Sequence, residues 1–309
     1  MSLALFDPAP SMNAQLLCLF SFLLCIQISC SNASKTLPYV TSITPEIRTA
    51  LSLSDFYRKQ IQVASFSIVG STNVSDDALR EAAWIVTHLL EGRPDLTQAM
   101  TDSSTRLVVM AWNEFTSDIP EHSRLEPHAY WNRRARGLGA TPTIPVVSCA
   151  EENLLSFPGD PYSTENICIH EFAHAIHETG LNKVDPTFDT RLQKAFHSAT
   201  NAGLWINIYA ASNHREYWAE AVQSWFDDNR ENDDQHNSVN TRTELRTYDP
   251  GVAKLCEEIF ADRPWRYVRP KRRPFKDCSH IKEKGKLPYP HFRWRETSPT
   301  SPTGKLTSP

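Results

Sequence analysis

The chain has little that could hold it in a membrane. One apolar run, Leu16 to Ile26 (LLCLFSFLLCI), stands out among its 309 residues, and it falls well short of the roughly 20 residues that a spanning helix needs. No other stretch approaches spanning length. No lysine or arginine occurs before Lys35, so the amine alone supplies the positive end usual for a leader. Small and polar residues follow the run, and Ser31-Asn32-Ala33 offers a small-x-small cleavage site before Ser34. The reading is a secretory leader over residues 1–33 and a secreted, extracellular protein with no membrane span once it is removed. There is also no internal repeat, which excludes solenoid and propeller architectures. No spacing among Asp227, Asp228, Glu231, Asp233 and Asp234 matches a calcium loop, so these predict a solvated acidic turn. Between Lys35 and Ser75 no cysteine is available to block a metal from a propeptide.

What is present is the composition of a globular protein: 40% hydrophobic and 22% charged residues, enough for one large or two modest domains. The net charge of -4 is unevenly spread, because the chain turns strongly basic after Asp262. Arg263 to Arg273 reads RPWRYVRPKRR, and Lys276, Lys282, Lys284 and Lys286 continue it. In an exported chain this predicts a solvated basic tail over 271–309, suited to an acidic extracellular polymer such as a sulfated glycan and not to nucleic acid. Its Ser/Thr/Pro end, Thr297 to Pro309, will not fold alone. Loss of Cys18, Cys25 and Cys30 with the leader leaves Cys149, Cys168, Cys256 and Cys278, an even set that predicts disulfides with three pairings open. Asn73-Val74-Ser75 spells an N-glycosylation sequon.

Periodicity places the elements. Ser75 can cap a helix over 76–91, with Leu79, Ala82, Ala83, Val86, Leu89 and Leu90 on its apolar face. Arg106 to Trp112 and Ile144 to Ser148 read as strands, and the polar stretch Asn113 to Pro145 between them as a long excursion that could line a cleft. Ser163 is the expected cap of a helix running through ICIHEFAHAIHETG, with Gly180 just past its end. Asp185-Pro186 opens another helix, which Gly203 stops, and a third begins near Asn213 and carries EYWAEAVQSWF.

The first of these helices carries chemistry. His170 and His174 are one helical turn apart and share a face, with Glu171 beside them, and the run from Ile167 to Gly180 contains no lysine or arginine. Two imidazoles for a metal and a carboxylate to take a proton from water are what a metallohydrolase needs. The uncharged flanks predict a buried helix, whose histidines and carboxylate require partners. His177 is expected to be solvated at the helix end. Catalytic zinc usually takes three protein ligands. A histidine six residues after the second, as one zincin class has it, is absent, since Gly180 stands there. Glu216 and Glu220 share one face of their helix, so that one could bind the metal while the other holds a ligating histidine.

HEFAH followed by EYWAEAVQSWF resembles the gluzincin metallopeptidases, in particular the catalytic domain shared by anthrax lethal factor and the Pro-Pro endopeptidases. The resemblance spans Ile167 to Phe226. It implies Glu216 as the third zinc ligand beside His170 and His174, Glu220 as the matching second glutamate, and Tyr209, seven residues before Glu216, as the hydroxyl that stabilises the tetrahedral intermediate. Glu171 is then the general base. The expectation is an α+β, zincin-like metallopeptidase domain over 34–270, with a small mixed sheet, acting on peptide or protein substrates with Zn2+. The alternative is a non-catalytic extracellular matrix or binding protein that keeps the fold and attaches through its basic tail.

Overall fold

Aliphatic residues fill both faces of the central strands, and their alternation divides the core in two. In the computed structural model, which describes residues 39–282 and 288–295, a mixed sheet runs β1-β2-β3-β4-β6-β5. The strands are β1 (Thr41–Ser42), β2 (Lys59–Val63), β3 (Phe66–Gly70), β4 (Arg106–Met110), β5 (Gly137–Leu138) and β6 (Val146–Ala150). β3, β4 and β6 are parallel; β1, β2 and β5 are antiparallel to their neighbours. Leu107, Val109, Val147 and Cys149 face the larger core cluster, and Val108, Met110, Val146 and Ala150 face the smaller one, as a period of two requires. The architecture is therefore α+β with a small mixed sheet. Among the described residues no helix is long and apolar enough to cross a membrane.

The helix Asp76–Leu89 is capped by Ser75, whose Oγ accepts from the Ala78 N–H at 3.2 Å. The excursion 113–145 is structured in part: it contains the helix His128–Arg134 and the edge strand β5. The histidine helix runs Ile167–Ala175 and is capped by Asn166, not Ser163. Asn166 is tied down at three points: its Oδ1 accepts from Ile169 N–H at 3.2 Å, its N–H donates to Asp228 at 2.9 Å, and its amide donates to the Tyr267 hydroxyl at 2.7 Å. Gly180 does not end the helix, which continues as a π-helical stretch, Ile176–Leu181. His177, expected in solvent, is fully buried there, with Nε2 3.0 Å from Asp189 and its ring against Phe188. The glutamate helix is His214–Trp225, capped by Asn213 as the sequence predicts.

The expected leader and Ser/Thr/Pro end lie outside the described residues, and two further expectations fall differently. Cys149, Cys168, Cys256 and Cys278 are buried, and among the described residues none of the predicted disulfides forms; each lies in the apolar core. The basic segment is solvated only in part: Lys271, Arg272 and Lys276 are exposed, whereas two of its arginines are buried. Arg269 is buried and donates to Asp160 at 2.6 Å and to the carbonyls of Tyr162 at 3.0 Å and Asn153 at 3.3 Å. Arg273 forms a two-pronged pair with buried Glu81 at 2.6 and 3.0 Å, and His280 reaches the same carboxylate at 2.6 Å. The Arg273 guanidinium also lies 3.9 Å from the Trp84 ring centroid. A carboxylate inside the Asp76–Leu89 helix needs a compensating cation, and the C-terminal segment supplies it. Cations so engaged are withdrawn from any acidic polymer.

Burial pushes the Glu81 carboxyl up, but His280 and Arg273 more than reverse this and hold it below its ordinary value. Arg273→Ala strands that carboxylate, and urea unfolding at neutral pH is expected to show a loss of about 3–5 kcal/mol. Because the native pKa is depressed, this contribution is present above the ordinary carboxylate range and is lost as pH falls through the native value, so the gap between variant and wild type should close in acid.

Candidate metal centre

The two motif helices cross so that their polar faces meet inside an apolar contact. The Trp218 indole donates to the Ala173 carbonyl at 2.9 Å, pinning the glutamate helix to the end of the histidine helix. Phe172, Ala173, Ala221 and Val222 are fully buried around that junction. The consequence is a tight triangle: His170 Nε2 lies 3.1 Å from Glu216 Oε2, His174 Nε2 lies 3.3 Å from the same oxygen, and the two Nε2 atoms are 3.3 Å apart.

The donor chemistry of this triangle can be worked out from its surroundings. Gln223 Nε2 donates to Glu165 at 2.9 Å, so Gln223 Oε1, at 2.8 Å from His170 Nδ1, must accept. His170 therefore carries its proton on Nδ1 when neutral, and its Nε2 lone pair faces Glu216 and His174. Three potential ligand atoms then converge on one point, where either a metal ion or a second proton on His170, donated from Nε2 to Glu216, offsets their repulsion. Tetrahedral zinc with nitrogen and oxygen ligands at about 2.0–2.1 Å sets those atoms about 3.3–3.4 Å apart. The triangle matches this, so the residues fit a zinc ion held by His170, His174 and Glu216.

With protein groups alone, the centre is polarised as these contacts require. Burial disfavours a charged His170, but its hydrogen bond to Glu216 and the charges of Glu171, Glu216 and Glu220 outweigh burial and raise it well above the ordinary imidazole value. Glu216 is held far down, the two histidines overcoming its burial. Glu171 goes the other way: burial raises its carboxyl against the opposing pull of His170 and His174. Burial likewise raises the Tyr209 hydroxyl, followed by the charges of Glu216 and Glu171, so it keeps its proton at neutral pH.

The expected site residues fall in one neighbourhood: His170, His174 and Glu216 form the triangle, and Glu171, Tyr209 and Glu220 line the cavity beside it. Glu171, Tyr209, His170 and Glu220 line a cavity of about 190 Å³ together with Arg134, Gly137, Tyr162, Glu165, Arg230 and His236. The Tyr209 ring centroid is 6.2 Å from that of His170. Glu220 Oε1 stands 3.5 Å from His170 Nδ1, whereas Gln223 makes the short bond. Glu220 instead accepts from Asn229 at 2.9 Å and lies 3.4 Å from His236, tying down the loop behind the glutamate helix. Gln223 was legible in principle, since it follows Glu216 by two helical turns on the same face. Two glycines admit the edge strand: a Cβ at Gly137 would stand 2.4 Å from Ile167 and 3.0 Å from the Glu171 side chain, and one at Gly139 would stand 2.7 Å from His174.

Among solved structures, the chain is similar to the Pro-Pro endopeptidase PPEP-2 from Paenibacillus alvei, with 19% identity over 62% of this chain and 97% of that one and a TM-score of 0.43. No protein-family model and no curated protein matches it.

Elemental analysis after equilibration with zinc is expected to find one ion per chain, lost in His174→Ala. Affinity should fall as pH falls, because each ligand must shed its proton, and the raised His170 makes this competition begin above the ordinary imidazole range. Gln223→Leu removes the acceptor that fixes the His170 tautomer and should weaken zinc by about 10–100-fold, measured by competition with a chelating dye.

Proposed function

We propose that this protein is a zinc-dependent endopeptidase in which His170, His174 and Glu216 hold the metal. The observation that carries the reading is the triangle of 3.1–3.3 Å formed by their ligand atoms, with a carboxylate of raised basicity in the same cleft. Bound there, zinc supplies Lewis acidity, which acidifies water and polarises a peptide carbonyl.

The remaining steps belong to the chain. Glu171 takes the proton from the attacking water, and its raised pKa matches that task better than an ordinary exposed carboxylate would. As the carbon–nitrogen bond breaks, the same carboxyl delivers the proton to the leaving amine. Tyr209, protonated at neutral pH, donates its hydroxyl hydrogen bond to the developing oxyanion. The free edge of β5 passes beside Glu171, where Gly137 leaves no side chain in the way, and an extended peptide can add to that edge by backbone hydrogen bonds. Gln223 acts on the centre through His170, and Glu220 steadies the loop behind the glutamate helix. Zn2+ is the expected cofactor and a peptide or protein the expected partner.

Export is part of the same proposal, on the strength of the run Leu16 to Ile26 and its small-residue boundary. Expression in a secreting host should release a product whose N-terminal sequence starts near Ser34; retention of the uncut chain in cells counts against it. The catalytic reading is tested with a peptide library. Glu171→Gln should keep its zinc and lose cleavage by about 10³-fold or more, whereas Tyr209→Phe should lower kcat by about 10²–10³ with little change in KM. Equal cleavage by Glu171→Gln and wild type would dismiss Glu171 as the base.

A further inference from the structure

The cleft contains a cation, Arg134, that hydrogen-bonds Tyr209 but is held by none of the cleft's carboxylates in an ion pair among the described residues. Arg134 is the last residue of the helix His128–Arg134 and stands three residues before Gly137, where β5 enters the cleft. It lines the cavity with Glu171, Tyr162 and Tyr209, and its guanidinium carbon lies 5.7 Å from the Trp131 ring centroid. Among the described residues it makes no ion pair. The other arginine of the cleft is matched: Arg230 lies 3.3 Å from Glu165 and 2.9 Å from Asp233. Arg136, two residues on, is buried against Glu152 at 2.5 Å.

A guanidinium stays charged at any working pH, and partial burial without a counter-ion is costly. Glu171 lies in the same cavity and feels the Arg134 charge but forms no ion pair with it, which leaves the guanidinium fork open to an incoming group. Its planar fork suits a carboxylate, which takes two parallel N–H hydrogen bonds. Tyr162 is fixed beside it, its hydroxyl donating to the Arg134 carbonyl at 3.0 Å, so the wall that carries the cation is braced.

We propose that Arg134 is the specificity-determining residue of the cleft and that it takes a substrate carboxylate, an Asp or Glu side chain or the free C-terminus, close to the bond that is cut. This rests on the peptidase reading and adds a substrate class to it: acidic peptides over neutral ones.

The test uses the full zinc-loaded chain and a randomised peptide library prepared in free-acid and C-amidated halves. Wild type is expected to favour products with Asp or Glu at one position beside the scissile bond by about tenfold or more over Asn and Gln, or to favour the free-acid half by that factor, and the two arms separate the sources of the carboxylate. In Arg134→Gln the ratio should fall to about one, and Arg134→Lys, which keeps the charge without the fork, should retain part of it. A preference ratio is insensitive to the fraction of folded protein, so a destabilised variant still reports. Cleavage by wild type with no acidic preference, or a preference intact in Arg134→Gln, overturns the inference while leaving the peptidase standing. If wild type cuts nothing, fluorescence anisotropy with labelled Asp-containing and Asn-containing peptides decides separately: binding that favours Asp in wild type but not in Arg134→Gln supports the carboxylate site without catalysis, and equal binding rejects it.

Discussion

Three lone pairs aimed at one point are the constraint on which this structure depends. His170, His174 and Glu216 are packed within 3.3 Å of one another, so their repulsion has to be offset, by a proton on His170 Nε2 or by the metal ion of the proposed reading, and the Gln223 acceptor fixes the other His170 proton on Nδ1. The constraint reaches outward from there. Gln223 is oriented by Glu165, Glu165 by Arg230, and Arg269 donates to the chain at Tyr162, Asn153 and Asp160 on the approach to the histidine helix. The basic C-terminal segment thus braces the entrance to the helix that carries the centre. Two of its cations, Arg269 and Arg273, have internal roles, each matched by a buried carboxylate.

How much of this was legible follows from how far apart the partners lie. A helix repeats every 3.6 residues, so the shared face of His170 and His174, and that of Glu216 and Glu220, can be drawn from spacing alone. The central strands and the Ser75 cap are equally local and were readable. Arg273 and Glu81 are 192 residues apart, and no window of sequence shows that one will neutralise the other. The same limit hid Arg134, which lies in a polar excursion with no periodic signal. The cysteines misled for another reason: an even count in an exported chain suggests bridges, but only packing reveals that each fills a core position.

The π-helical stretch after the second histidine shows how local irregularity serves the site. A regular helix through Gly180 would end where the composition suggests; the wider turn keeps it going and carries His177 into the core against Asp189 and Phe188. Burial, acting against the Asp189 charge, pushes the His177 imidazole down to about 4, so it stays neutral over the range in which zinc would be bound. A third histidine so near the centre therefore adds no positive charge to it.

Glu171 and Arg134 divide the cleft between them in a way that only their separation explains. Each is partly removed from water, they stand on different helices, and no ion pair joins them. A charge pair optimised for stability would have closed that gap. On the proposed reading, that separation leaves a proton acceptor and an anion receptor facing the same space, the arrangement that a cleft completed by a substrate carboxylate would need.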